Sequence, residues 1–198
     1  AARLRRAPLP PVRRPLMTTA DASVRSATVD DATTVGQVQA LVWQQAYDGV
    51  VPPQVHAAFD PRAFATAWAD SLRTPPEGVH RLLVACAGEQ VVGFVAIGPS
   101  QDPDAGQTTG EVTALGVHPG HRRQGHGSRL INAAVDILRE AGAEHVATWG
   151  LVEHEALRGF LTGAGLVPDG AYRDRVISPD GGTAREVRLV SALPDDTP

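Results

Sequence analysis

The sequence predicts a mixed α/β (α+β) fold, a central and mostly antiparallel sheet of six to seven strands flanked by helices. Three observations predict it. Two pairs of short apolar runs, 81–86 with 91–97 and 171–177 with 186–190, are joined through Gly88-Glu89-Gln90 and Asp180-Gly181-Gly182, turn chemistry that makes antiparallel hairpins. One stretch runs strand, helix, strand over 111–117, 127–141 and 145–149. Two further segments carry apolar residues at spacings of three and four, so helices must cover the sheet.

Taken in order, residues 24–28 alternate and read as a short first strand. Asp30-Asp31 offers an N-cap ahead of Val35, Val38, Leu41, Val42 and Ala46, one face of a helix. Residues 47–61, with Pro52, Pro53 and Pro61, read as a loop. Phe64, Trp68 and Leu72 then repeat at four and mark a second helix. The first hairpin follows, then a polar loop over 99–110 and a fourth strand over 111–117. In the helix at 127–141, Leu130, Ile131, Ala134, Val135 and Leu138 form an apolar stripe that Gly142 stops. A fifth strand at 145–149, a short helix at 155–161 and the second hairpin complete the order β-α-α-β-β-β-α-β-α-β-β.

The chain has 198 residues, one domain's worth, and is predicted to be a single domain over 21–194 behind a disordered tail over 1–20. The start of that tail, AARLRRAPLPPVRRPL, is rich in Arg and Pro and lacks the apolar stretch of a signal peptide. Hydrophobic residues make up 42% and charged residues 20%, ordinary globular composition. All 18 basic residues are Arg. A net charge of -4 argues against a nucleic-acid partner. No apolar run reaches the ~20 residues that span a bilayer, so no membrane partner is expected. The lone Cys86 lies in an apolar strand and points to a reducing, cytoplasmic setting.

Chemistry concentrates where the fourth strand meets the next helix, in Leu115-Gly-Val-His-Pro-Gly-His-Arg-Arg-Gln-Gly-His-Gly-Ser. Glycines at 125 and 127 let several N–H groups point into one concavity. The helix that follows adds free N–H groups and the positive end of its dipole. Arg122 and Arg123 add full charges. Together they make an anion site the size of a pyrophosphate. A Walker loop is excluded, since the chain has no Lys, and Leu130 stands where a dinucleotide-binding turn needs its third glycine. The bland alternative is a glycine-rich turn with solvated arginines.

Arg122-x-x-Gly125-x-Gly127, after Leu115-x-Val117-x-Pro119, resembles the acetyl-CoA motif of the GNAT acetyltransferase superfamily. The likeness extends over roughly 24–192: the run Ala156 to Leu161 with Gly165-Leu166 is similar to the family's later helix and closing pair, and Val42 to Tyr47 and Val92-Gly93-Phe94 resemble family positions. The resemblance implies a GNAT fold whose fourth and fifth strands splay apart to admit the pantetheine arm of acetyl-CoA, the acyl donor. It implies that Leu115, Gly116 and Val117 meet that arm through their backbone. The amides of Arg122, Arg123, Gln124, Gly125, His126, Gly127 and Ser128 would hold the pyrophosphate. His154 falls where the family often has an Asn against the cofactor arm, and Leu157 and Phe160 would line its apolar side.

Glu111 opens the fourth strand where family members often place a catalytic base; period-two alternation would give it a face in common with Leu115 and Val117. The alternative is a charged strand-entry residue. A backbone N–H near Val117 would stabilise the thioester oxygen. Leu161 stands where the family's proton-donating Tyr usually lies, and Tyr172 is a substitute, although a core or rim role suits it better. Trp43, Tyr47 and Trp149 are the candidates for binding the acceptor, and Trp68 reads as core. His118, His121 and His126 crowd into nine residues. The break at Pro119-Gly120 and the lack of a nearby carboxylate argue against a metal.

The function expected is N-acetyl transfer from acetyl-CoA to a primary amine of a small molecule or peptide, by a protein of a family in which homodimers are common. Two competing readings are a non-catalytic acyl-CoA-binding module, favoured by Leu161, and a nucleic-acid contact through Arg122, Arg123 and Arg129 with the Arg-rich tail, against which the acidic body argues.

Overall fold

The computed structural model describes residues 22–194, so the Arg/Pro-rich tail expected at 1–20 lies outside the described residues. Seven strands form one sheet in the order β1-β2-β3-β4-β5-β7-β6. They are β1 (Ala22–Ser26), β2 (Arg81–Ala87), β3 (Gln90–Pro99), β4 (Thr109–Val117), β5 (His145–Leu151), β6 (Val167–Val176) and β7 (Thr183–Ala192). Every neighbouring pair is antiparallel except β4 with β5.

Helices α1 (Ala32–Ala46) and α3 (Pro61–Arg73) cover one face; α4 (His126–Glu140) and α5 (Glu155–Gly163) cover the other. On the first face Val35, Val38 and Val42 of α1 pack against Val84 and Phe94. On the second, Leu130, Ile131, Ala134 and Leu138 of α4 pack with Leu161, Val146 and Leu189. These are the stripes that the spacing of apolar residues foretold. Full burial of each such side chain contributes roughly 1.5–3 kcal/mol.

Three local expectations are corrected. The first strand begins and ends two residues early, because Ala27 is already bonded outside the strand through Leu82 O. The segment 47–61 is not all loop: Pro52-Pro53 starts the one-turn helix α2 (Pro53–His56), with proline at its first position where no amide partner is needed. Asp31 stands at the start of α1 without capping it. Its carboxylate instead accepts from the Thr28 amide at 2.7 Å and pairs with Arg25 at 2.7 Å. That pairing holds its pKa down at about 2.

Two features of β4 position the site. Its parallel pairing with β5 lasts only from Thr109↔His145 to Val112↔Thr148, after which the strands part. Thr148 Oγ1 donates to Val112 O at 2.8 Å, a buried bond at the point of parting. The second feature is a bulge: Ile97 faces Val112 and Ala96 faces Ala114, leaving Thr113 as the extra residue.

Candidate active site

Where β4 and β5 part, a cleft of about 950 Å³ opens through the sheet. One end is the turn into α4. Gly125 holds the N-cap with φ 81° and offers no side chain to cap the helix. The amides of His126, Gly127 and Ser128 therefore have no intrahelical acceptor and face whatever occupies the turn. Arg123 also adopts a left-handed conformation, φ 61°, which costs a non-glycine residue about 1–2 kcal/mol. A concavity of amides held in place at that cost is suited to an anion.

The walls of this end are apolar. A Cβ on Gly127 would meet the Phe160 ring at 3.1 Å, so glycine here lets α4 and α5 approach. Leu115, Val117, Leu157 and Phe160 all pack against the α4-side core and line the cleft. His154 lies at the start of α5 and lines it too. Burial, with Arg122 adding to it, holds the His154 imidazole below its ordinary pKa. His126 is 3% exposed, and burial, with Arg129 and His121, likewise lowers its pKa. Arg122 reaches back from the turn, its Nε to Val117 O at 3.1 Å and its Nη2 to Gln45 at 3.2 Å.

The other end faces α1. Here the bulge overturns an expectation. Strict alternation would put Glu111 on one face with Leu115 and Val117. The extra residue at Thr113 reverses the pattern: Val112, Leu115 and Val117 face α4, while Ala114 and Gly116 pack on the α1 side. Glu111, opposite in sense to Val112, turns toward α1, and its carboxylate accepts from Ser100 Oγ at 2.9 Å. Trp43 of α1, Tyr47 just past its C-terminus and Trp149 of β5 line the same end. Trp43 also stacks on Phe94, centroids 6.2 Å apart. Tyr47 is partly buried, which pushes its phenol pKa up, with Glu186 adding to the effect.

Of the residues expected to act as base or to bind the donor or the acceptor, all but one line this cleft. The exception is Gln124, whose side chain turns back to Gly120 O at 3.5 Å and whose carbonyl accepts from Arg129 at 3.1 Å. Tyr172 is not a substitute acid. It is 60% exposed and lies under Arg185, on the sheet face opposite Arg173 and Arg175. Leu161 is 2% exposed in the α4-side core. Trp68 packs on Phe94, edge to face at 6.1 Å, in agreement with a core role. His118, His121 and His126 follow one another at 5.6 and 6.3 Å between ring centroids. No group of three or more potential metal ligands occurs among the described residues, and none of their helices is long and apolar enough to cross a membrane.

Sequence reasoning missed three charged lining residues, Arg173, Arg175 and Glu186. Arg173 and Arg175 sit two apart on β6, and Arg173 is opposite Glu186 of β7. The signal was present as two arginines in alternation on a strand that faces a glutamate across a hairpin.

The model of the acetyltransferase (GNAT) family matches residues 39–165, well over half of the chain, and the protein belongs to that family. Solved structures of the same fold include yncA from Salmonella typhimurium, with its cofactor acetyl-CoA (TM-score 0.66, 17% identity, 90% of this chain and 97% of that one). Another is the PaiA N-acetyltransferase from Thermoplasma acidophilum, in complex with coenzyme A (TM-score 0.61, 12% identity, 87% and 99%). Among curated proteins, the mycothiol acetyltransferase of Kineococcus radiotolerans is 34% identical over 114 residues, 52% of this chain and 36% of that protein. The mycothiol acetyltransferase of Saccharopolyspora erythraea is 30% identical over 91 residues, 45% and 29%. The alignments thus span about a third of these relatives' length.

Proposed function

We propose that this protein transfers an acetyl group from acetyl-CoA to a primary amine. The observation that carries the reading is the cleft itself, which joins an uncapped helix N-terminus beside Arg122 and Arg123 to the carboxylate of Glu111 through the gap between β4 and β5. Acetyl-CoA suits those residues. Its pyrophosphate matches the amides of residues 123–128, and its extended arm matches the strand edge at Leu115, Gly116 and Val117, freed where β5 departs. Leu157, Phe160 and His154 flank that arm. Bound there, the donor supplies a thioester carbonyl.

On the acceptor side, an amine reaches the cleft mostly as an ammonium and must lose a proton before it can attack. Glu111 accepts that proton, directly or through one water. The Ser100 hydroxyl, bonded to Glu111 at 2.9 Å, orients the carboxylate. A backbone N–H near Val117 stabilises the charge that develops on the thioester oxygen. Leucine at 161 donates no proton, so the sulfur leaves as thiolate, a reasonable departure for a thiol of pKa about 8.5. Trp43, Tyr47 and Trp149 shape the acceptor's path. The names of the two curated relatives favour an amine acceptor of low molecular weight over a protein.

The test is calorimetric titration with acetyl-CoA, followed by release of CoA thiol in the presence of primary amines. Micromolar binding with amine-dependent thiol release is expected. Binding with no release from any amine would instead favour the non-catalytic acyl-CoA-binding reading, for which Leu161 is the one supporting feature.

A further inference from the structure

The acceptor end of the cleft carries charge that proton removal does not use. Glu186 is 4% exposed and meets Arg173 Nε at 2.6 Å but Arg175 Nη1 only at 3.6 Å. Arg173 is further occupied by the Trp149 ring, 4.2 Å beneath its guanidinium. Arg175 has only the longer of the two contacts with Glu186, and its side chain is 60% exposed. Glu186 gives Oε2 to Arg173 and only the longer Oε1 contact to Arg175, so one carboxylate stands against two guanidiniums. One positive charge therefore remains at the cleft's edge, with planar donors matched to a carboxylate.

Arg175 also borders a second chamber, of about 550 Å³, which shares Trp43, Thr113 and Ala114 with the main cleft. Phe59, Phe64 and Trp68 form its walls. The one indole N–H among these three is bonded to Gln39 Oε1 at 2.6 Å, which leaves the chamber a lining that is apolar apart from Gln39, Thr113 and Arg175. A cation thus stands at the junction between an apolar chamber and the cleft that holds Glu111.

We infer that the acceptor is a primary amine bearing a carboxylate and an apolar side chain, the chemistry of a free apolar amino acid. Its carboxylate pairs with Arg175, its side chain enters the aromatic chamber, and its amine faces Glu111. This rests on the transferase reading above.

The experiment measures thiol release at saturating acetyl-CoA with L-phenylalanine, L-phenylalaninamide, phenethylamine and glycine, for the native chain, Arg175→Gln and Arg185→Gln. Arg185 lies on the same hairpin, paired with Asp174 on the opposite face, and serves as the control for charge loss and hairpin folding. Phenylalanine is expected to exceed its amide and phenethylamine in kcat/KM by roughly tenfold or more, and to exceed glycine. Arg175→Gln removes the advantage over the amide, chiefly through KM, and Arg185→Gln keeps it. Equal use of the carboxylate-free amines, preference for glycine, or an Arg175→Gln variant with the preference intact overturns the inference and leaves the transferase reading standing. Release with none of these four amines, despite acetyl-CoA binding, overturns this inference, and no release across a broad screen of primary amines overturns the transferase reading as well.

Discussion

The two ends of the cleft are made of different material. The end at the α4 turn is mostly backbone: amides of an uncapped helix, a left-handed Gly125, and a strand edge exposed where β5 leaves β4. The end beneath α1 is mostly side chain, with Glu111, Trp149, Arg173, Arg175 and Glu186 drawn from four strands, Trp43 from α1 and Tyr47 from just beyond it. Backbone geometry needs a local sequence and little else, so one end is written in a dozen consecutive residues. Side-chain constellations need tertiary structure to assemble. The contrast implies a division of labour, with the donor held by the first end and the acceptor chosen by the second.

The sharpest way to break that division is Glu111→Gln. Loss of a general base should lower kcat by roughly a hundredfold or more. Acetyl-CoA affinity, measured by titration, should not move; a parallel loss of affinity would merge the two ends into one. Next comes Gly125→Glu, which puts a β-carbon where φ is 81° and Arg129 Nη1 lies 3.0 Å away, and adds a negative charge to the anion site. Acetyl-CoA affinity should fall by about tenfold or more, with kcat at saturating donor largely kept. Thr148→Val removes the buried bond to Val112 O at the point of parting. About 1–2 kcal/mol of stability should be lost in urea unfolding.

The smallest effect separates the ends by pH. Burial keeps the folded His126 pKa below its ordinary 6.5. As pH falls through 6.5 the unfolded chain therefore binds a proton that the folded chain declines, and stability drops until the folded group also protonates. The melting temperature should fall between pH 7.5 and pH 5.5, and His126→Asn should flatten part of that fall, leaving the share due to His154, whose pKa is lowered as well.

What was legible follows the same divide. The order of strands and helices, the amphipathic faces of α1 and α4, and the turn at 122–127 could be read because each is local. The arginines of β6 lie on an edge strand, and only the pairing of β6 with β7 brings them to Glu186. The bulge was unreadable for another reason. Nothing in Val112-Thr113-Ala114 breaks alternation by itself; the extra residue shows only against the register of β3.

That single extra residue gives β4 a change of parity. Upstream of it the even positions face α4, where a β-carbon on Gly110 would strike Leu138 at 2.5 Å; downstream the odd positions do. A strand of uniform parity could not offer Leu115 and Val117 to one side and Glu111 to the other. Substitution at 113 leaves the count of residues unchanged, whereas deletion of one residue there would swing Glu111 beneath Leu138. The chemistry of this site therefore depends on an integer, the number of residues between its carboxylate and its turn.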